Sequence, residues 1–234
     1  MVFINKESSP ASLKNYKLTH PNNTYSNLKC KPEIRNDIYN SLIAEQFGLC
    51  AYCMCRIFNR SKDDRNIQIE HFLPQSDNTP VSSSSLTLGE IKSLDYSNML
   101  GVCDGGKKFN SENALKGIDN LTCDSHRKNN LLSINPLEKK YFFPRKIEYN
   151  GNGNGEIFST DSVIDIDLKQ TLNLNLFRLT ILRKSVWKNI IEQISKGLIN
   201  SKNKQQVIQS LKTPVNGELE SFYDVAVYFI EKLV

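Results

Sequence analysis

The chain has 234 residues, of which 39% are hydrophobic and 24% charged, and it carries a net charge of +5. This composition excludes a disordered chain and predicts a core of moderate size. The chain contains no apolar run of about 18 residues, and residues 1–10 lack the apolar stretch of a signal peptide, so we expect a cytoplasmic protein without a membrane span.

The first part of the chain is expected to form one helix and one short hairpin. Residues 1–31 are rich in Ser, Asn and Pro and are predicted to be mostly irregular. Pro32 favours the first turn of a helix, and Gly48 is a suitable stop for that helix. The alternating, β-branched segment 67–72 predicts a strand that pairs with residues 57–58.

The middle of the chain contains a long loop between two further short elements. Residues 73–95 are expected to form this loop, with a turn of helix near 88–92. Residues 98–103 predict a second strand, and a helix is expected to begin near Cys123. Residues 141–160 predict a hairpin, since their Asn-Gly repeat suits a tight turn.

From Leu168 onward the sequence has helical periodicity. Apolar residues recur every three or four positions, at Leu172, Leu176, Leu179, Leu182, Val186, Ile190 and Ile194. A final helix is expected to extend to Leu233. The elements predict an α+β chain of four parts: an N-terminal segment and helix over 1–48, a cysteine-containing core over 49–140, a β-hairpin over 141–165 and a helical region over 166–234.

Five of the six cysteines fall between residues 50 and 123, which in a reducing compartment favours a metal site over disulfides. A Cys-x-x-Cys turn supplies half of a tetrahedral zinc site, and two later cysteines supply the rest. The predicted ligands are Cys50, Cys53, Cys103 and Cys123. Cys30 and Cys55 remain as spares. The alternatives are buried apolar cysteines and a redox pair, which is disfavoured because no thioredoxin-like pattern surrounds it.

An acidic residue and a histidine stand together at the end of the predicted strand 67–72. Glu70 and His71 face opposite sides of a strand, so one can bind a metal while the other addresses a water. Histidine suits the role of general base near neutral pH, and carboxylates suit Mg²⁺ or Mn²⁺. Asp124 adds a second carboxylate from the predicted helix.

These motifs resemble those of HNH (ββα-metal) endonucleases. The order CAYC, IEHFLP, LDYSNMLGVC and CDSHRKN is similar to the family pattern of a cysteine knuckle, an acid-His pair, an Asn-led strand and a final helix. The segments EQFGLCAYC, LLSINPLE and TLNLNLFRLTILRKSVW resemble the branch associated with Septu and retron defence systems. The resemblance covers nearly the whole chain and implies a zinc-stabilised ββα core with flanking helices.

The resemblance also implies a role for individual residues. His71 is the general base, Glu70 and Asp124 bind the catalytic Mg²⁺ or Mn²⁺, and Asn98 ties the loop that holds the base. The four cysteines Cys50, Cys53, Cys103 and Cys123 bind structural zinc. Arg127 is placed to contact phosphate.

Two positions depart from the family pattern. Asp124 replaces the commoner His or Asn, and Lys128 replaces a glycine. His126 is a rival metal ligand, but it lies about 200° around a helix from Asp124, so both cannot easily bind one metal. Motif position favours Asp124.

Positive charge is concentrated late in the chain. From Arg178 to Lys212 there are eight basic residues and one acid, whereas residues 50–130 contain ten of each. On the predicted long helix, nucleic acid is expected to contact Arg183, Lys184 and Lys188. The alternative is a solvated helix face. Trp187 is expected in the core or at a partner interface.

The resemblance therefore predicts a metal-dependent endonuclease that hydrolyses DNA and acts as the effector of a bacterial antiphage system. The resemblance also implies a partner ATPase subunit that gates the nuclease, and the chain has no Gly-x-x-x-x-Gly-Lys-Ser/Thr loop with which to supply such a switch itself. Docking is expected through the helices after Leu168. The alternatives are a non-catalytic zinc module that binds nucleic acid or protein, and an RNase or toxin with the same site.

Overall fold

A computed structural model describes residues 1–234 and confirms the α+β class. The chain forms nine α-helices and two small antiparallel sheets. The helices are α1 Ala11–Thr19, α2 Pro32–Glu45, α3 Leu88–Lys92, α4 Lys107–Glu112, α5 Cys123–Arg127, α6 Ser162–Ile166, α7 Phe177–Ser195, α8 Lys204–Leu211 and α9 Tyr223–Leu233. None of them is both long and apolar enough to cross a membrane.

The two strands of the first sheet are distant in sequence. Strand β1 (Ile67–His71) pairs antiparallel with β2 (Met99–Cys103), and His71 lies opposite Met99. The expected hairpin between 57–58 and 67–72 is wrong, because this region makes only isolated bridges such as Asn59 with Arg65. Segment 67–72 pairs instead with β2, whose five residues are all buried.

Helix α2 is fastened to the edge of β2 by one side chain. The amide of Gln46 donates to the carbonyls of Leu49 (2.8 Å) and Gly101 (2.7 Å), and its oxygen accepts from the Gly101 N–H (2.7 Å). Gln46 thus satisfies backbone groups of a buried strand edge. The helix begins at Pro32 as predicted, and its end places residues 49–53 directly beside β2.

The N-terminal segment differs from its prediction. Residues 11–19 form α1, although composition indicated an irregular segment. Leu13 and Tyr16 lie three residues apart and are both buried against the core. Tertiary packing therefore stabilises a helix that the composition of this segment does not predict. Helix α4 was likewise not expected, whereas α3, α5 and the hairpin of β3 (Glu148–Tyr149) with β4 (Ile157–Phe158) follow the prediction.

The C-terminal region is helical as expected, but the apolar stripe is interrupted. A π-helical turn over Asp167–Thr171 follows α6, and the chain leaves the helix before α7 begins at Phe177. Leu172 and Leu179 therefore lie on different elements, and Leu182 is 45% exposed. Forty-four buried apolar residues from Met1 to Ile230 form one continuous core, so the four predicted parts share it.

Candidate metal centre and active site

Four cysteines from three separate segments meet in the core. Their sulfur atoms lie within 4.8 Å of one another. The sulfurs of Cys53 and Cys103 are 3.6 Å apart, those of Cys103 and Cys123 3.8 Å, and those of Cys50 and Cys123 3.9 Å. A tetrahedral zinc site with Zn–S bonds of about 2.3 Å has S–S edges of about 3.8 Å. The cluster fits a zinc ion, as the spacing predicted.

The turn around Cys50 and Cys53 is shaped to present sulfur. The Cys50 N–H donates to Cys55 O (2.9 Å), and the Met54 N–H donates to Cys50 O (3.1 Å). Met54 and Cys123 both have positive φ angles, of 65° and 56°, which is uncommon for residues with a side chain. Such backbone conformations persist only where the surrounding structure enforces them.

In the absence of a cation, the crowded sulfurs shift one another's pKa values in opposite directions. Hydrogen bonds from neighbouring sulfurs, Cys103 foremost, lower the pKa of the Cys53 thiol well below its usual range. Neighbouring sulfurs, Cys103 foremost, raise the pKa of the Cys123 thiol well above its usual range. Two backbone N–H groups point at sulfur, from Cys103 to Cys50 (3.3 Å) and from Cys55 to Cys53 (3.5 Å). Zinc binds thiolates and displaces their protons. The two backbone N–H groups stabilise the negative charge of a thiolate.

Helix α7 braces the chain between the last two cysteines. The Arg178 guanidinium donates to Asn120 O and Thr122 Oγ1, both at 3.0 Å, and to Gly105 O at a shorter distance. A Cβ on Gly106, which has a φ of 87°, would collide with this guanidinium. The contacts hold residues 103–123 in place although the loop between β2 and α5 is long.

His71 is buried at the end of β1 and hydrogen-bonded through both ring nitrogens. Its Nε2 lies 2.8 Å from Ser93 O, and the Gln75 amide lies 3.1 Å from Nδ1. A carbonyl only accepts, so Nε2 carries the proton and Nδ1 is the basic nitrogen. Burial lowers the pKa of His71, which keeps the imidazole neutral at pH 7, the form that a general base requires.

Asn98 stands directly before β2 and ties the loop that follows His71. Its oxygen accepts from the Leu73 N–H (2.7 Å), and its amide donates to Leu73 O (3.0 Å) and Lys92 O (3.2 Å). All three bonds join segments that flank the His71 ring. This is the loop-tying geometry that the resemblance implies for Asn98.

Glu70 and Asp124 lie side by side on β1 and α5. Burial raises the pKa of Glu70 well above its usual range and the Asp124 charge adds to this, while Arg127 opposes it. Glu70 Oε1 accepts from Tyr52 Oη (3.1 Å) and from Arg127. No other side chain and no backbone N–H of the chain donates a hydrogen bond to Glu70 Oε2 or to the Asp124 carboxylate.

His126 points away from this carboxylate pair. Its Nδ1 lies 3.0 Å from the carbonyl of Thr171 in the π-helical turn. The two rival ligands on α5 therefore have different surroundings, with Asp124 beside Glu70 and His126 against the C-terminal region.

Two of the arginines expected to contact nucleic acid are buried. Arg127 is 0% exposed and donates to Glu70 and to Phe72 O (2.6 Å). Arg183 is 2% exposed and donates to Gly155 O and Leu174 O, both at 2.6 Å. These two expectations are wrong, because internal acceptors satisfy both guanidiniums. Lys184 and Lys188 are exposed as expected.

Three side chains around the site were not predicted. Tyr52 is fully buried and supports Glu70, Gln75 faces His71 Nδ1, and the Tyr25 ring packs edge-on to the His71 ring at 4.8 Å. Tyr52 lies inside the CAYC motif, and its position there is the only sequence signal that could have indicated a role in the site. Tyr25 lies 46 residues before His71, so only the fold brings the two rings together.

Over 126 residues the chain is 29% identical to an Escherichia coli protein named "Retron Ec83 putative HNH endonuclease". The chain is similar to a retron HNH endonuclease. The match covers 53% of this chain and 45% of the relative, so the chain spans about half the length of the curated relative it matches. No protein-family profile matches the chain. The relative confirms the resemblance drawn from the motifs.

The cluster predicts one tightly bound zinc ion per chain. Cys50→Ser and Cys53→Ser each remove a buried ligand, so we expect loss of zinc and of the cooperative thermal transition, since metal binding is coupled to folding. Elemental analysis and thermal melting measure both. Cys30→Ser is the matched control, because Cys30 is exposed and distant from the cluster, and Cys55→Ser is also expected to retain zinc. A folded, zinc-free wild type would contradict the prediction.

Proposed function

We propose that the chain is a metal-dependent HNH endonuclease that hydrolyses phosphodiester bonds in DNA. One observation carries the proposal: a buried, neutral histidine with an accepting Nδ1 ends the strand that also carries Glu70, and Asp124 stands beside that carboxylate. Strands β1 and β2 and helix α5 are assigned as the ββα core, with the cysteine cluster as its structural zinc site. The name of the relative supports this assignment.

In the proposed reaction His71 Nδ1 takes a proton from water. The attacking water takes the position at Nδ1 that the Gln75 amide holds, and its oxygen bonds to phosphorus while the P–O3′ bond breaks. Ser93 O holds the imidazole through Nε2 and stabilises the imidazolium that forms. Asn98 keeps this loop fixed to β2, so the base need not reorganise during the reaction.

Glu70 Oε2 and the Asp124 carboxylate would hold the divalent cation, Mg²⁺ or Mn²⁺. Bound there, it supplies Lewis-acid stabilisation of the developing negative charge. Arg127 and Tyr52 hold Glu70 from the interior, so the carboxylate has one fixed orientation.

The main rival is a non-catalytic zinc module, and an RNase or toxin with the same site is the second. A binding module needs no basic nitrogen beside a carboxylate pair. The arrangement around His71 therefore favours hydrolysis over binding alone. Substrate comparison with DNA and RNA separates the nuclease alternatives.

His71→Ala is expected to lower the rate of plasmid cleavage by about 10²–10⁴-fold, because it removes the general base. His71→Asn provides a second variant that can still donate to Ser93 O but has no nitrogen that titrates near pH 7. Cleavage is measured with Mg²⁺ and with Mn²⁺, beside zinc content and thermal melting. Wild-type rates in a folded His71→Asn variant would refute the assignment of the base.

Asp124→Ala is expected to raise the Mg²⁺ or Mn²⁺ concentration needed for half-maximal cleavage, because it removes one of the two carboxylates proposed to bind the cation. His126→Ala is the matched control on the same helix and is expected to leave that concentration unchanged. Metal titrations of cleavage compare the two variants. Loss of activity in His126→Ala with normal activity in Asp124→Ala would reverse the ligand assignment.

We further propose that the chain is the effector of an antiphage system and is gated by an ATPase subunit. The retron context in the relative's name supports a defence role. Helix α7 leaves Phe177, Ile181 and Leu182 exposed, at 75%, 46% and 45%, and exposed apolar groups suit a protein interface. Trp187 is half-buried and packs against Gly153 of the hairpin, so it contributes to the core rather than anchoring a partner.

Co-purification of the chain with the product of a neighbouring ATPase gene tests this partnership. We expect a stable complex whose cleavage rate depends on ATP, and weaker binding after Phe177→Ser with Ile181→Ser. Lys184→Ala with Lys188→Ala is the control on the same helix. Full activity of the isolated chain, with no bound or rate-altering ATPase, would exclude gating while leaving the nuclease assignment intact.

A further inference from the structure

A groove lined by basic side chains lies between helix α2 and the loop that precedes β1. Its volume is about 660 Å³, and no hydrophobic or acidic residue lines it. The basic residues that line it are Lys29, Arg35, Arg60, Lys62 and Arg65. We call this surface the α2 groove. Five positive charges converge there, three of them from the segment 50–130, which has equal numbers of basic and acidic residues.

Most of these charges have no carboxylate partner. Arg60 pairs with Asp64 at 3.5 Å, but no ion pair involves any of the other four. Glu33 and Asp37 lie on α2 but do not line the groove. Clustering of unpaired like charges costs free energy, so the arrangement favours an anionic ligand.

The Tyr39 ring holds two of the guanidiniums close together. Arg65 lies 4.6 Å and Arg35 5.9 Å from its centroid, and Arg35 also donates to Tyr39 Oη at 3.0 Å. Arg35 Nε is buried and has no hydrogen-bond partner in the chain. The Arg35 Nη1 donors also make no hydrogen bond within the chain, and these are the donors to which a phosphate oxygen could bind.

The α2 groove adjoins a second cavity that extends toward β1 and the Tyr25 ring. This cavity of about 370 Å³ shares Arg35, Lys62 and Arg65 with the groove and is also lined by Gln68, Ile69 and Tyr25. Gln68 and Ile69 directly precede Glu70 and His71 on β1, and the Tyr25 ring packs against the His71 ring. Asp104 is the one acid in this second lining. The Tyr25 ring thus lies between the second cavity and the proposed general base.

We infer that the α2 groove binds the phosphate backbone of the DNA strand that enters the active site. This inference rests on the proposed nuclease function and names the surface that positions its substrate. No aromatic side chain on which bases could stack lines the first cavity, so the contacts are to phosphate and independent of sequence. The lysines of α7 are not required for this binding.

The test compares two double variants of the full chain that each remove two exposed lysines. Lys29→Ala with Lys62→Ala alters the α2 groove, and Lys184→Ala with Lys188→Ala alters α7 by the same net charge. Binding to a fluorescent DNA duplex is measured by anisotropy over a series of salt concentrations. No Mg²⁺, Mn²⁺ or chelator is added, so the DNA stays intact and zinc stays bound.

The groove variant is expected to bind the duplex about tenfold more weakly than the wild type at low salt, and its plot of log K against log salt to be shallower by about 2, one per lost phosphate contact. The α7 variant is expected to bind like the wild type, and Lys29→Arg with Lys62→Arg to restore binding. Thermal melting confirms that each variant folds. Unchanged binding in the groove variant, or an equal loss in both lysine-to-alanine variants, would overturn the inference.

Two further outcomes separate this inference from the proposed function. If the wild type never cleaves DNA but its binding depends on the α2 groove, the groove assignment stands and the nuclease assignment fails. If cleavage requires His71 but is insensitive to the groove lysines at every salt concentration, the groove assignment fails alone. Groove-dependent binding of RNA without binding of DNA would overturn the choice of DNA as the ligand.

Discussion

Convergence of four cysteine sulfurs is the constraint on which the rest of the structure depends. The sulfurs come from the turn that carries Cys50 and Cys53, from the end of β2 and from the start of α5, and β1 joins them through its pairing with β2 and through Glu70. All four thiols are buried, and their sulfurs lie at the spacing of a tetrahedral zinc site. A bound zinc would fix the strand pair against the helix, because metal binding is coupled to folding.

The buried Arg127 connects the cysteine cluster to the candidate active site. Arg127 is inaccessible to solvent and joins α5 to Glu70 on β1 and to the Phe72 carbonyl beyond it. A buried ion pair contributes little net stability, but breaking one is costly because it leaves an unpaired charge. Arg127 therefore fixes where Glu70 points, and Tyr52 of the cysteine turn supports the same oxygen. The zinc site and the carboxylate pair are thus parts of one packed unit.

Charge along the sequence is a poor guide to charge on the surface of this protein. The segment with the largest excess of basic residues begins at Arg178. Within it, Arg178 donates hydrogen bonds to the Asn120 carbonyl, and Arg183 donates to internal backbone carbonyls. Folding instead brings Lys29 and Arg35 beside Arg60, Lys62 and Arg65, and only Arg60 of these five has a carboxylate partner. Unpaired positive charge therefore gathers at the α2 groove as well as at the exposed Lys184 and Lys188 of α7.

The sequence by itself determined the Cys-x-x-Cys turn, the acid-His pair and the start of α2, because these features depend on residue chemistry over a few positions. The resemblance to a known family added the role of Asn98. Only the tertiary structure decided that β1 pairs with β2, that residues 11–19 are helical, and that Asp124 faces Glu70 while His126 faces Thr171. It also decided that Arg127 is internal. Strand partners, burial and side-chain partners depend on contacts between distant residues, and no local pattern encodes those.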